Sequence, residues 1–145
     1  MEKQINLTRV VFLFHHLINS YRHGLVQSCH QAGIRITYGE ITILLRLREQ
    51  DSLSQGDLAR SLLKDKAYNS RLISQCIHKG WVKSQRGNKD RRTIFTLLTP
   101  DGKQVAQSIF SLVSEYEKSA CKNIPQKELD VTNSILQQII KNIRK

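Results

Sequence analysis

The densest charge in this chain falls on a short run, "RGNKDRR" (86–92), where Arg86, Lys89, Arg91 and Arg92 stand against one acid, Asp90. Basic side chains at that density bind polyanions: each neutralises a phosphate and releases its counterion, giving affinity and salt dependence but little sequence information. A second constellation lies upstream, in "KAYNSRLISQCIHK" (66–79). On a helix of about 100° per residue, Leu72, Ile73, Cys76 and Ile77 share one side and belong in a core. Ala67, Arg71, Ser74 and His78 share the opposite side, with Tyr68, Ser70 and Gln75 at its flanks. That outward face carries no acid. Arginine can bond guanine through two hydrogen bonds, glutamine can pair with adenine, and small residues let the backbone close on phosphate, so the chemistry is that of a helix entering a DNA major groove.

Other reactive residue types are less organised. His16, His23 and His30 are seven apart, which places successive rings about 10 Å apart along a helix, too far for one chain to chelate a metal between them. His15 stands apart from that row. These residues are expected to form a solvated or dimer-packing stripe. Cys29, Cys76 and Cys121 are odd in number and form no C-x-x-C pair, which fits a reducing cytosol and excludes a disulfide framework or a zinc ribbon. Nothing beside Cys29 would lower its thiol pKa, so a redox role is not expected. The chain shows no nucleophile–base pair, phosphate-cradling glycine loop or metal-spaced cluster. An enzyme is therefore not expected, nor is a metal or cofactor.

The elements that must position these groups are marked by clear local signals. Leu7, Val10, Val11, Phe14, Leu17, Ile18, Tyr21 and Leu25 form one apolar stripe and predict a long first helix to about Gln31. In "IRITYGEITILLRLREQ" (34–50), Thr37 and Glu40 form a capping box, and Ile36 can staple onto Ile41. "LSQGDLARSLL" (53–63) repeats the device with Ser54 and Asp57. Asp65 caps the next helix, and Gly80 ends it. The period then changes from 3.6 to 2: "WVKSQR" and "RTIFTLL" predict two strands joined by the basic turn. Thr99-Pro100 restarts helix, which should run to about Asn123, and Pro125 breaks it before a last helix over about 126–143.

Two short capped helices followed by a hairpin is the layout of a winged helix-turn-helix, mainly α with a small β-hairpin wing. The basic turn is then the wing tip, charged because it meets phosphate. Formal net charge is +11, and from Arg60 to Lys103 eleven Lys/Arg face three Asp. Such a balance favours nucleic acid as partner. No signal peptide opens the chain and "VVFLF" is too short to span a bilayer, so a soluble cytoplasmic protein without a membrane partner is expected.

Asp90, Arg92, Leu98, Thr99 and Gly102 meet the pattern D-x-R-x-x-x-x-x-L-T-x-x-G. This pattern carries a resemblance to the multiple-antibiotic-resistance regulator (MarR) family of bacterial transcription factors. The resemblance is carried also by "LSQGDLARSL" and "DKAYNSRLISQCIHKGWV", matching at Asp65, Lys66, Ser70, Arg71, Leu72, Lys79, Gly80 and Val82. The pattern is specific from about 36 to 102. Tyr68 and Asn69 stand where relatives carry small or apolar residues, and Trp81 where they carry an aliphatic one. The resemblance implies that Arg92 enters the minor groove, held by Asp90, while Arg86, Lys89 and Arg91 contact phosphates. It implies a homodimer whose N- and C-terminal helices (1–33 and 104–145) interlock and carry a DNA-binding domain over 34–103. It also implies repression at pseudo-palindromic operators, with half-sites about one helical turn apart, and a small aromatic acid as effector. Two readings compete with it: an activator that displaces another DNA-coating protein, and a winged-helix module for protein interaction or RNA binding.

Overall fold

The computed structural model describes residues 7–62, 65–88 and 92–144. Its elements follow the order α1 (Leu7–Gln31), α2 (Tyr38–Glu49), β1 (Ser52–Ser54), α3 (Gln55–Leu62), α4 (Lys66–His78), β2 (Val82–Arg86), β3 (Ile94–Leu98), α5 (Pro100–Ala120) and α6 (Gln126–Ile143). This is a winged helix-turn-helix flanked by long helices. α1 and α6 have the extents that periodicity predicts. α5 stops at Ala120, sooner than expected, and the chain then turns through Asn123 in the left-handed region (φ 65°), which asparagine tolerates better than most residues.

Local signals set the helix starts. Thr37 Oγ1 accepts from the Glu40 N–H (3.3 Å) while the Glu40 carboxylate accepts from the Thr37 N–H (2.8 Å), closing the capping box of α2. The Ser54 hydroxyl accepts from the Asp57 N–H (3.0 Å) at α3, and Asp65 accepts from the Tyr68 N–H (2.8 Å) at α4. Each such cap is worth about 1 kcal/mol. Gly80 leaves α4 with φ 75°, a conformation in which an L side chain is strained.

The sheet holds one strand more than the sequence pattern predicts. β1 pairs antiparallel with β3 (Ser52↔Leu97, Ser54↔Phe95), and β3 pairs antiparallel with β2 (Val82↔Leu98, Arg86↔Ile94), giving the order β1-β3-β2. Ser54 thus both pairs with the wing and caps α3.

By backbone contacts the chain divides into two compact units, Met1–Ser114 and Glu115–Lys145. The core of the first is built from Leu25 and Cys29 of α1, Ile41, Ile43, Leu44 and Leu47 of α2, Leu58 of α3, Leu72, Ile73 and Cys76 of α4, and Ala106 and Ile109 of α5. Burial of one large aliphatic side chain contributes about 1.5–3 kcal/mol, so α4 is held by its inner face alone and its outer face is left for other use. Ile77, expected in that core, is 41% exposed, while Asn69 takes a buried place at 2%. On the wheel Asn69 lies at the centre of the arc formed by Leu72, Cys76 and Ile73, and Ile77 at its edge. In the second unit α6 buries no residue, and Val131, Ile135, Ile140 and Ile143 are exposed.

Candidate nucleic-acid interface

α4 is presented outward by its neighbours. Its inner face rests against Gly39 of α2, where an added Cβ would stand 2.7 Å from Leu72 Cδ1, so a larger residue there would push the Leu72 side chain aside. Ala67, Ser70, Arg71, Ser74, Gln75 and His78 are all exposed. Ser74 donates to the Ser70 carbonyl (2.9 Å), so its hydroxyl proton is used within the helix and its lone pairs face outward. Tyr68 departs from this row. It is half-buried and lies on the α2 side, with its hydroxyl 3.1 Å from where a Gly39 Cβ would be. Gln75, His78 and Arg71 line one shallow cleft with Lys79 and Glu40.

At the wing, Gly87 N–H donates to the Thr93 carbonyl (2.9 Å) and closes the hairpin. Arg86 and Arg92 are exposed, whereas Lys89, Asp90 and Arg91 lie outside the described residues. The tip-side end of β3 meets the helices in a cleft of about 430 Å³, where Arg92 joins Lys66 and Ser70 of α4 and Gln55 and Gly56 at the start of α3. Lys66, matched to the family pattern above, was not assigned a DNA contact from the sequence. Its signal was present: it follows the cap Asp65 directly, and the first turn of a groove-reading helix lies nearest the phosphates. Backbone N–H groups at the α3 start add partial positive charge to the same cleft. Arg92 and α4 therefore form one basic surface.

The wing is tied back to the fold beyond it. Thr99 Oγ1 donates to the Gly80 carbonyl (2.6 Å) and accepts from the Gly102 N–H (3.0 Å), and the Thr99 N–H donates to the Trp81 carbonyl (3.0 Å). The exit of α4 and the entry of α5 are thereby clasped together.

The remaining reactive types do not assemble. His30 Nε2 lies 3.0 Å from the Ile36 carbonyl, at the turn between α1 and α2, and His15, His16 and His23 are exposed. Among the described residues no His/Cys/Asp/Glu group could hold a metal. Burial pushes the Cys29 thiol up from its ordinary value. Cys76 is pushed up to about 12, first by burial and then by the nearby Glu40 carboxylate. A thiol held protonated at neutral pH is a poor nucleophile. Treatment with a mild thiol reagent is expected to leave Cys29 and Cys76 unlabelled until the chain unfolds; labelling at the free-thiol rate in the native protein, read by mass spectrometry, would contradict this.

Residues 36–94, from the approach to α2 through the wing, match the sequence model of the MarR family. Over these residues the chain is similar to the MarR family. In sequence it is similar to the HTH-type transcriptional regulator BilQ of Clostridium symbiosum, 23% identical over 104 residues that make 72% of each chain. In fold it is similar to mutant MarR from Escherichia coli complexed with operator DNA, with a TM-score of 0.83 at 18% identity, covering 96% of this chain and 99% of that one. It is similar also to BpsR of Bordetella bronchiseptica, whose DNA binding is regulated by 6-hydroxynicotinic acid, with a TM-score of 0.78 at 17% identity over 96% and 94% of the two chains. The MarR pattern D-x-R-x-x-x-x-x-L-T-x-x-G gains a physical reading here: its Leu-Thr-x-x-Gly end is the clasp of Leu98, Thr99 and Gly102 below the wing.

Proposed function

We propose that this chain is a homodimeric transcription regulator that reads double-stranded DNA and represses at pseudo-palindromic operators. It acts in the cytoplasm and without catalysis. The observation that carries this reading is the exposed, acid-free outer face of α4, with Arg92 and Lys66 at its N-terminal end. α4 enters the major groove, with Arg71 and Gln75 on base edges and Ala67, Ser70, Ser74 and His78 along the walls. Arg92 enters the adjoining minor groove, where a planar guanidinium suits a narrow electronegative channel better than an ammonium does. Arg86, Lys66, Lys89 and Arg91 meet phosphates, and Asp90 orients Arg92. No helix among the described residues is long and apolar enough to cross a membrane.

The dimer reading is supported by exposed apolar surface on both flanks. In α1, Val11, Phe12, Leu13, Leu17 and Ile18 are exposed and point to several sides of the helix, which calls for cover from more than one direction. A small aromatic acid as effector is supported by a cleft of about 550 Å³ whose lining includes Arg22, Tyr38, Arg46 and Tyr68; Arg22 already sits over the Tyr38 ring at 5.0 Å. Cations beside aromatic faces suit an aromatic carboxylate.

Selection of bound duplexes from a random library, followed by titration of variants, tests the DNA reading. Arg71→Ala is expected to cost about 1–3 kcal/mol at its cognate base pair and to flatten preference there. Lys89→Ala is expected to weaken all duplexes alike and to lower the salt slope by about one per half-site. Enrichment of no sequence by the wild-type protein would refute the reading.

A further inference from the structure

The capping box of α2 holds an ion where a neutral residue would serve. Glutamine at the Glu40 position satisfies a capping box as well as glutamate does, and a carboxylate that is only 1% exposed is costly to bury without a partner. The partner comes from the far end of the recognition helix. Lys79, whose backbone N–H caps the end of α4 on the Gln75 carbonyl, reaches back with its ammonium to both oxygens of Glu40, at 2.7 and 2.9 Å, and to the Arg35 carbonyl at 3.1 Å. Its Nζ also lies over the Trp81 ring, 4.7 Å from the centroid. Glu40 Oε2 also accepts from the Thr37 N–H (2.8 Å) and the Thr37 hydroxyl (3.0 Å). One buried carboxylate thus joins the first turn of α2 to the C-cap of α4.

Another part of the α2–α4 contact is of a different kind. Leu72 against Gly39 is apolar packing, which is non-directional and tolerates small rotations. The ion pair is directional and acts at the end of α4 that carries Gln75 and His78. Hydrogen bonds to base edges require donor–acceptor distances within a few tenths of an ångström, so a slight rotation of α4 would spoil base reading while leaving phosphate attraction intact.

We propose that Glu40 and Lys79 are positioning residues, whose ion pair fixes the orientation of α4 and thereby sets discrimination between operator and other DNA. The inference rests on the DNA-reading function proposed above. The test takes the duplex that the wild-type full-length protein selects and compares its affinity with that of a random duplex. Glu40→Gln keeps the cap and the side-chain volume but releases Lys79, and it raises net charge by one. The ratio of operator to random affinity is expected to fall about tenfold, the size of change seen when a coupling network is cut, with random-duplex binding unchanged or tighter. Lys79→Met should lower the ratio similarly, the double variant should be no worse than either single, and Lys79→Arg should restore the ratio by keeping a cation on the carboxylate. Melting curves recorded alongside confirm that each variant is folded when its ratio is read. An unchanged ratio in Glu40→Gln, or a loss shared equally by both duplexes, would overturn the inference. Failure of the wild-type protein to select any duplex would overturn the DNA reading itself, and this inference with it.

Discussion

Gly102→Ala is expected to be the most destabilising single substitution in the chain, at more than about 4 kcal/mol. A Cβ at Gly102 would overlap the Trp81 carbonyl oxygen outright, and would stand 2.7 Å from the Trp81 carbonyl carbon and 3.1 Å from its Cα. All three are backbone atoms, so no rotamer change relieves the clash. The same carbonyl accepts from the Thr99 N–H, and moving it would also loosen the Thr99 hydroxyl that holds Gly80. The effect is not one of backbone freedom, since Gly102 sits in the first turns of α5 with ordinary helical geometry. It is one of close approach. Urea or thermal melts check it: a midpoint within a few degrees of the wild type would show that α5 can shift to admit a methyl group and that the clasp is looser than drawn.

Deletion of residues 126–145 is expected to abolish the dimer and, with it, tight operator binding. α6 buries none of its side chains, and Ile135 and Ile143 are 53% and 67% exposed. Apolar stripes of that kind associate or aggregate. Two linked recognition helices bind through an effective local concentration that raises affinity about 10²–10⁴-fold over one, so a monomer should lose at least about 100-fold on a two-half-site duplex. Light scattering after size-exclusion chromatography, with titration of the same sample, measures both. A soluble truncated monomer with unaltered operator affinity would place the dimer elsewhere or show that one copy suffices.

The sequence spoke most clearly where a local rule decides the outcome. Thr37, Ser54, Asp65 and Thr99 start helices because their side chains satisfy backbone donors within three residues, and all four do so in the structure. β1 was not legible for the opposite reason. Three residues are too few to show a period of two, and Ser52–Ser54 becomes a strand only because β3, more than forty positions later, offers it an edge. The wheel of α4 placed Arg71, Ser74 and His78 outside, and they are exposed. It failed for Ile77, where residue type was given more weight than angle, and it left the buried Asn69 unplaced. Glu40 read as a cap, and its second partner, thirty-nine residues away, had no sequence signal at all.

The central position of β3 also bears on how much order is left to create when DNA arrives. An isolated two-stranded hairpin is marginal in water, and a wing built that way would stiffen only on the duplex, with the loss of freedom subtracted from affinity. Here β3 is bonded on both edges, and its β1 neighbour ends in the serine that starts α3. The entropy of fixing the strands is spent during folding, so binding does not have to order them. Such a wing should follow the helices as one stiff lever, its strand amides among the slow exchangers of deuterium even without DNA.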